Sequence, residues 1–312
     1  MDLKKLETLV IGNGAGTART VFDVERLAAS AVTRITVGSI TLKARQGNMP
    51  QPGTGLYYFD SNTKSSVNSL GMPNQGIDFY RQGVLSEMKK IAHGAGKTLW
   101  VSVAGFTPDE FRDLAVICAD EEVDGIELNL GCPNIHDDGV SHGIFSHNIE
   151  LCQEIFELIE TELAYQGKEV GAKISPASNS SVYRLSKAID RYTCITEVMA
   201  TNTLPDQHLL LPDGSEALNF LPPGGSEAKH TGGGGGKWLE EDAVRSMKVA
   251  RAVFHLSRIK VMSLGGISTG KDAKKRLDAN ADGIFCATAY LEEGPKIFSD
   301  ISRDLAELYE LA

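Results

Sequence analysis

Two hydrophobic patterns alternate along the chain. Short, unbroken apolar runs occupy residues 35–40, 98–104, 125–130, 170–175, 195–200, 260–264 and 283–287. Apolar runs of four to eight residues, rich in β-branched side chains, predict strands buried on both faces. Between most of them the apolar positions recur at helical spacing. Thr107-Pro108-Asp109-Glu110 opens one helix, with Thr107 as N-cap, Pro108 at the first position and Glu110 placed to complete a capping box. Phe111, Leu114, Ala115 and Cys118 then share one face. A second helix starts near Asn148, with Ile149, Cys152, Ile155, Phe156 and Ile159 apolar. A third follows Trp238, a fourth spans 271–279, and a last one begins near Pro295.

Buried strands alternating with helices imply a parallel sheet. The seven runs, with an eighth strand placed near residues 66–70, fit a closed (β/α)8 barrel better than an open doubly wound sheet. The length of 312 residues suits one TIM barrel. There is no fixed-period repeat and no separate linker, so residues 1–312 read as a single domain. Segments 47–67 and 204–236 break the rhythm. They are rich in turn-forming residues, and structureless loops of that length are usually functional or disordered. They are expected to be inserted over the C-terminal mouth, the end at which this fold carries its chemistry.

Charge and composition narrow the function. Lys and Arg number 31 against 41 Asp and Glu, a net charge of −10, which argues against a nucleic-acid partner. No apolar run is long enough to cross a membrane, and residues 1–7 lack the apolar core of a secretory signal. The five cysteines, at 118, 132, 152, 194 and 286, are spread as reduced thiols of a cytoplasmic protein would be. The seven histidines show no metal-ligand spacing with cysteine, so no metal is expected. The polar cluster from His136 to His147 reads as a lid.

The residues after each strand carry the candidate chemistry. Asn129 and Asn134 flank Cys132 at one strand end. Two amides beside a thiol suit a planar, amide-containing ligand and a base or nucleophile, although turn-capping amides beside a small buried thiol fit the spacing equally well. Asn68 and Asn202 stand at two further strand ends. Lys173 lies inside an apolar strand, where a lysine is costly unless it meets an anion or a polar cofactor, or its head escapes at the strand end. Glycine-rich turns at Gly232–Lys237 and Gly265-Gly266, with Ala287-Thr288 after the last strand, are placed to cradle a phosphate. By contrast, Gly12-Asn13-Gly14-Ala15-Gly16 has the wrong spacing for a dinucleotide fingerprint, because the third glycine position falls on Thr17.

Several of these segments resemble the dihydroorotate dehydrogenases, in their soluble class 1 branch. They are Asn68-Ser69-Leu70-Gly71-Met72-Pro73-Asn74, Leu128-Asn129-Leu130-Gly131-Cys132-Pro133-Asn134, Lys173, Asn202-Thr203, the glycine runs, and Leu291-Glu292-Glu293-Gly294-Pro295. The resemblance runs from about Ile11 to Leu311. It implies a barrel with FMN at its mouth that oxidises dihydroorotate to orotate in de novo pyrimidine biosynthesis, in a cytoplasmic homodimer. Cys132 would be the base that takes the C5 proton; the membrane-associated branch uses serine there. Asn68, Leu70, Gly71, Met72, Asn129, Asn134, Asn202 and Thr203 would hold the substrate. Ala15, Gly16, Asn129, Lys173, Gly236, Gly265, Gly266, Ala287 and Thr288 would hold FMN. Gly38 stands where the resemblance calls for a lysine that touches flavin and substrate. A flavin enzyme for another cyclic amide or enone, and a non-catalytic paralogue, are therefore the competing readings.

Overall fold

The computed structural model describes residues 8–132, 143–163 and 167–310, with the backbone of 136–137 and 140–141. Eight parallel strands close into a barrel: β1 (Val10–Asn13), β2 (Arg34–Ile40), β3 (Thr98–Val103), β4 (Gly125–Asn129), β5 (Glu169–Ile174), β6 (Ile195–Ala200), β7 (Lys260–Leu264) and β8 (Gly283–Cys286). Each pairs with its neighbours in sequence, and β1 closes the ring on β8 from Val10 opposite Gly283 to Asn13 opposite Cys286. Helices follow every strand and cover the barrel: α1 (Val21–Ala28), α2 (Leu85–Gly94), α3 (Pro108–Asp120), α4 (Ile149–Leu163), α5 (Asn179–Ile189), α6 (Glu240–Val253), α7 (Gly270–Asp278), α8 (Thr288–Glu293) and α9 (Lys296–Glu310). Their apolar stripes are buried against the strands, as with Phe111, Leu114, Ala115 and Cys118 of α3. Among the described residues no helix is long and apolar enough to cross a membrane.

The barrel interior explains the glycines inside the strands. Arg34 and Glu197 form a buried ion pair at 2.7 Å, and the Arg34 guanidinium lies 3.8 Å from the centre of the Trp100 ring. A Cβ at Gly125 would come within 2.2 Å of that ring, and one at Gly171 within 2.9 Å of Glu197. Burial pushes the Glu197 carboxyl up, and Arg34 opposes the shift. Leaving either charge unpaired there would be strongly destabilising.

Four expectations need correction. The eighth barrel strand is β1, not the segment near residues 66–70. Ser65–Asn68 instead belongs to an antiparallel sheet outside the barrel, ordered Leu204–His208, Thr231–Gly236, Ser65–Asn68, Tyr57–Asp60. The long insertions are therefore not structureless, and the glycine run 232–236 is a strand rather than a turn. Glycine is dictated there by close approach: a Cβ at Gly232 would lie 2.4 Å from the Asn68 carbonyl oxygen. The capping box expected at 107–110 is also displaced. Thr107 accepts from the Glu110 N–H at 3.2 Å, but the Glu110 carboxylate accepts from the Phe106 N–H at 2.7 Å.

Candidate functional site

Two adjoining cavities run across the C-terminal strand ends, enclosing about 750 and 830 Å³ of empty space that opens to solvent. They share Ala15, Lys173, Asn202, Thr203, Ala287 and Thr288. The antiparallel sheet forms part of the wall through Phe59, Ser66, Asn68, Gly235 and Gly236. Every site residue expected from the sequence lines one or both cavities, except Asn134, which lies outside the described residues.

At one end a continuous hydrogen-bond network links the strand tips. Asn202 Nδ2 donates to Asn129 Oδ1 at 2.9 Å, and Asn129 Nδ2 donates to Ser39 Oγ at 2.7 Å. Ser39 and Ser102 hydroxyls are 2.9 Å apart, and Ser102 donates to Glu127 Oε1 at 2.8 Å. Lys173 Nζ meets the same carboxylate oxygen at 2.7 Å. Lys173 thus has the anion its place in the strand demands. Asn129 and Asn202 each keep one N–H with no acceptor among the described residues, in a cavity wall. Cys132 lines the same chamber and packs with Met72, Ala104 and Phe106. It is half-buried, whereas burial pushes the thiols of Cys118, Cys152 and Cys286 up to about 12 and raises that of Cys194. None of the five is in a disulfide. Leu70, Gly71 and Met72 pass the chamber with Gly71 and Met72 at φ of 70° and 55°, and a Cβ at Gly71 would meet the Asn48 backbone N at 2.7 Å.

The other chamber is built on Gly265 and Gly266, at φ of 111° and 73°. The Gly266 N–H has no acceptor among the described residues. The loop is braced from behind: Arg276, fully buried, donates to the Gly265 carbonyl at 2.7 Å, and Lys237 binds Asp272 at 2.6 Å and reaches the Gly266 carbonyl at 3.3 Å. Asp272 in turn caps α7 by accepting from the Ser268 and Thr269 N–H groups, both at 3.0 Å. Ala287 and Thr288 lead into the first turn of α8, whose N–H groups lack helical acceptors. Thr288 Oγ1 lies 2.9 Å from Ser66 Oγ, tying the outer sheet to the barrel. Braced, unpaired N–H groups on a glycine loop suit a phosphate group. Among the described residues no cluster of His, Cys, Asp or Glu could hold a metal ion.

The braces Glu127, Ser102, Ser39, Lys237, Asp272 and Arg276 were not singled out from the sequence. Glu127 alone carried a signal, being a carboxylate in a run buried on both faces. Gly38 is held tightly. Its φ is 112°, its N–H donates to the Ala18 carbonyl at 2.9 Å, and its carbonyl accepts from Gly16 at 2.6 Å. A Cβ there would lie 2.3 Å from the Ser102 carbonyl oxygen. Gly38→Lys, which would restore the missing cation, therefore does not fit. It is expected to lower stability by about 2–4 kcal/mol through the left-handed backbone and the clash together, read as a fall in the urea midpoint. An unchanged midpoint would show that β2 relaxes around the side chain.

Fold and cleft together define a class, the (β/α)8 barrels that carry a ligand cleft across the C-terminal strand ends. Within it the chain belongs to the dihydroorotate dehydrogenase family, whose model matches residues 7–309. It is 30% identical over 294 residues to the dihydroorotate dehydrogenase (fumarate) of Saccharomyces cerevisiae, covering 93% of this chain and 86% of that protein. It is 29% identical over 292 residues to dihydroorotate dehydrogenase A (fumarate) of Lactococcus lactis subsp. lactis, covering 93% and 87%. These relatives place it in the class 1 branch. The fold matches that of the Eimeria tenella dihydroorotate dehydrogenase solved with ferulenol, at a TM-score of 0.76 and 17% identity over 96% of this chain and 81% of that one.

Proposed function

We propose that this chain is an FMN-dependent dihydroorotate dehydrogenase, oxidising dihydroorotate to orotate with Cys132 as the base. The observation that carries this reading is the Asn202–Asn129–Ser39 network beside Cys132, in a chamber continuous with the braced Gly265-Gly266 loop. The backbone of Gly265, Gly266, Ala287 and Thr288 would hold the phosphate of FMN, and Gly236, Ala15, Gly16, Lys173 and Asn129 would hold the rest of it. When bound, the flavin supplies the acceptor for the C6 hydride. The chain does the rest. The spare N–H groups of Asn129 and Asn202, with Asn68 and Thr203, hold the pyrimidine carbonyls and fix the ring. The backbone at Leu70-Gly71-Met72 lines the substrate's edge, and Asn134 completes the set. Cys132, as thiolate, takes the C5 proton as the C6 hydride leaves, so the substrate loses two electrons and two hydrogens.

The relatives' names give fumarate as an oxidant, and fumarate is the first acceptor to test. We further read the chain as a single domain acting as a cytoplasmic homodimer, with no nucleic-acid or membrane partner. Gly38 supports a second reading, an enzyme for another, uncharged cyclic amide or enone, because it offers no side chain where the resemblance calls for a lysine.

One experiment separates them. Denaturing the purified protein should release FMN, and anaerobic dihydroorotate should bleach the bound flavin. Release of FAD, or no flavin after reconstitution, would refute the cofactor assignment. Bleaching by uncharged cyclic amides but never by dihydroorotate would favour the second reading.

A further inference from the structure

The chamber that holds Cys132 has two cations in its wall, Lys173 and Arg19. Lys173 is committed to Glu127 at 2.7 Å. Arg19 is not committed in this way. It follows β1 and precedes Thr20, the N-cap of α1. Among the described residues its guanidinium makes no hydrogen bond or ion pair, and its Nε is buried without a partner. The carboxylate nearest in sequence is occupied: Asp23 Oδ2 accepts from the Arg19 and Thr20 N–H groups, both at 2.9 Å, and from Thr20 Oγ1 at 2.8 Å. Tyr80 donates its hydroxyl to the Arg19 carbonyl at 3.2 Å, not to the guanidinium. Burial pulls the guanidinium below its usual value, and Tyr80 and Asp23 offset only part of that.

A buried, unsatisfied guanidinium nitrogen calls for an explanation. Arginine keeps its charge under such conditions and presents a planar fork that matches a carboxylate. The wall around Arg19 is shared with Gly16, Ser39, Leu70, Gly71 and Met72, on the chamber's substrate side. Gly38 has no side chain to offer there, and Lys173 faces Glu127. Arg19 also borders an outer groove with Arg45, Asn74 and Tyr80, so the residue stands between that groove and the chamber. We propose that Arg19, from its place in the chamber wall, is the cation that receives the substrate's carboxylate and makes this site select a carboxylated ring over a neutral one. The proposal rests on the functional reading above. It supplies what that reading lacks at Gly38, and it predicts that the charge reaches the substrate from the β1–α1 turn.

The test compares orotate with uracil, which has the same ring without the carboxylate. Both are titrated into the flavin-loaded protein and followed by the perturbation of the flavin spectrum. Arg19→Gln should weaken orotate binding by about ten- to a hundredfold, the range of a lost charge-assisted bond, and change uracil binding less than about twofold. Arg19→Lys keeps the charge without the fork and should lose less than about tenfold for orotate. If the glutamine variant does not fold, the lysine variant decides. A loss confined to orotate supports the clamp, and an equal loss for both ligands overturns it. Unchanged orotate affinity in Arg19→Gln, in a protein whose wild type is still bleached by dihydroorotate, overturns the role of Arg19 and leaves the proposed function standing. Failure of the wild type to bind orotate overturns both.

Discussion

Replacing Cys132 by alanine is expected to slow the reduction of bound flavin by dihydroorotate by about 10²-fold or more, the scale of lost general-base catalysis. Flavin content should stay near wild type, because Cys132 lines the chamber away from the Gly265-Gly266 loop. The position is set by its neighbours. Gly131 lets the chain leave β4 against β5, since a Cβ there would lie 2.8 Å from the Ser175 backbone N and 2.9 Å from the Asn202 Cβ. Leu130 is pinned by donation to the Lys173 carbonyl at 3.0 Å. The thiol is thus delivered beside Asn129 and Asn202 rather than into the core, where Cys118, Cys152 and Cys286 are held protonated. Cys132→Ser should retain part of the rate, with its pH profile displaced upward because a hydroxyl is a weaker acid than a thiol. Stopped-flow reduction under anaerobic conditions reads both variants. A wild-type rate in Cys132→Ala would place the base elsewhere, and His136 would be the next residue to replace.

What the sequence disclosed and what it hid follow one rule. Residues whose local setting is unusual could be read. Lys173 in an apolar strand, Asn68, Asn129 and Asn202 at strand ends and the Gly265-Gly266 pair before a helix each violate a local preference, and each lies in a cavity wall. Residues whose role comes from barrel closure could not. Ser39 and Ser102 lie on two strands and mean nothing separately, and the carboxylate of Glu127 on a third strand signals a buried charge without naming its partners; only the closed ring brings the three within hydrogen-bond distance. Strand β1 was missed for a similar reason. It has four residues, and Gly12 and Asn13 are poor strand formers. Yet a Cβ at Gly12 would strike the Phe285 ring at 2.4 Å. Asn13, fully buried, substitutes for ladder bonds by donating to the Thr36 carbonyl at 2.8 Å and accepting from its N–H at 2.9 Å. Tertiary contacts override propensity at both positions. The converse error put Ser66 and Val67 in the barrel, where their β pattern was real but their partner was the glycine strand 231–236.

Lys173→Met is expected to cost about 3–5 kcal/mol of stability, because it leaves a buried carboxylate without its cation. The Lys173 and Glu127 side chains are 4% and 3% exposed, so water cannot take the place of the missing partner. Glu127→Ala should cost a similar amount for the opposite reason, a stranded ammonium. Ser102 keeps one hydrogen bond to Glu127 in the first variant, which makes it the milder of the two. The double variant should cost clearly less than the sum, since it removes both charges together and neither remains to be solvated. Function should divide differently. In the proposed reading Lys173 also touches the flavin, so Lys173→Met and the double variant should both bind FMN weakly, however much stability the double variant recovers. Urea unfolding of the four flavin-free proteins measures the first effect, and FMN titration measures the second. Additive stability losses would mean that the pair is not coupled. Recovery of FMN affinity in the double variant would mean that Lys173 serves only to neutralise Glu127 and that the flavin does not rest on it.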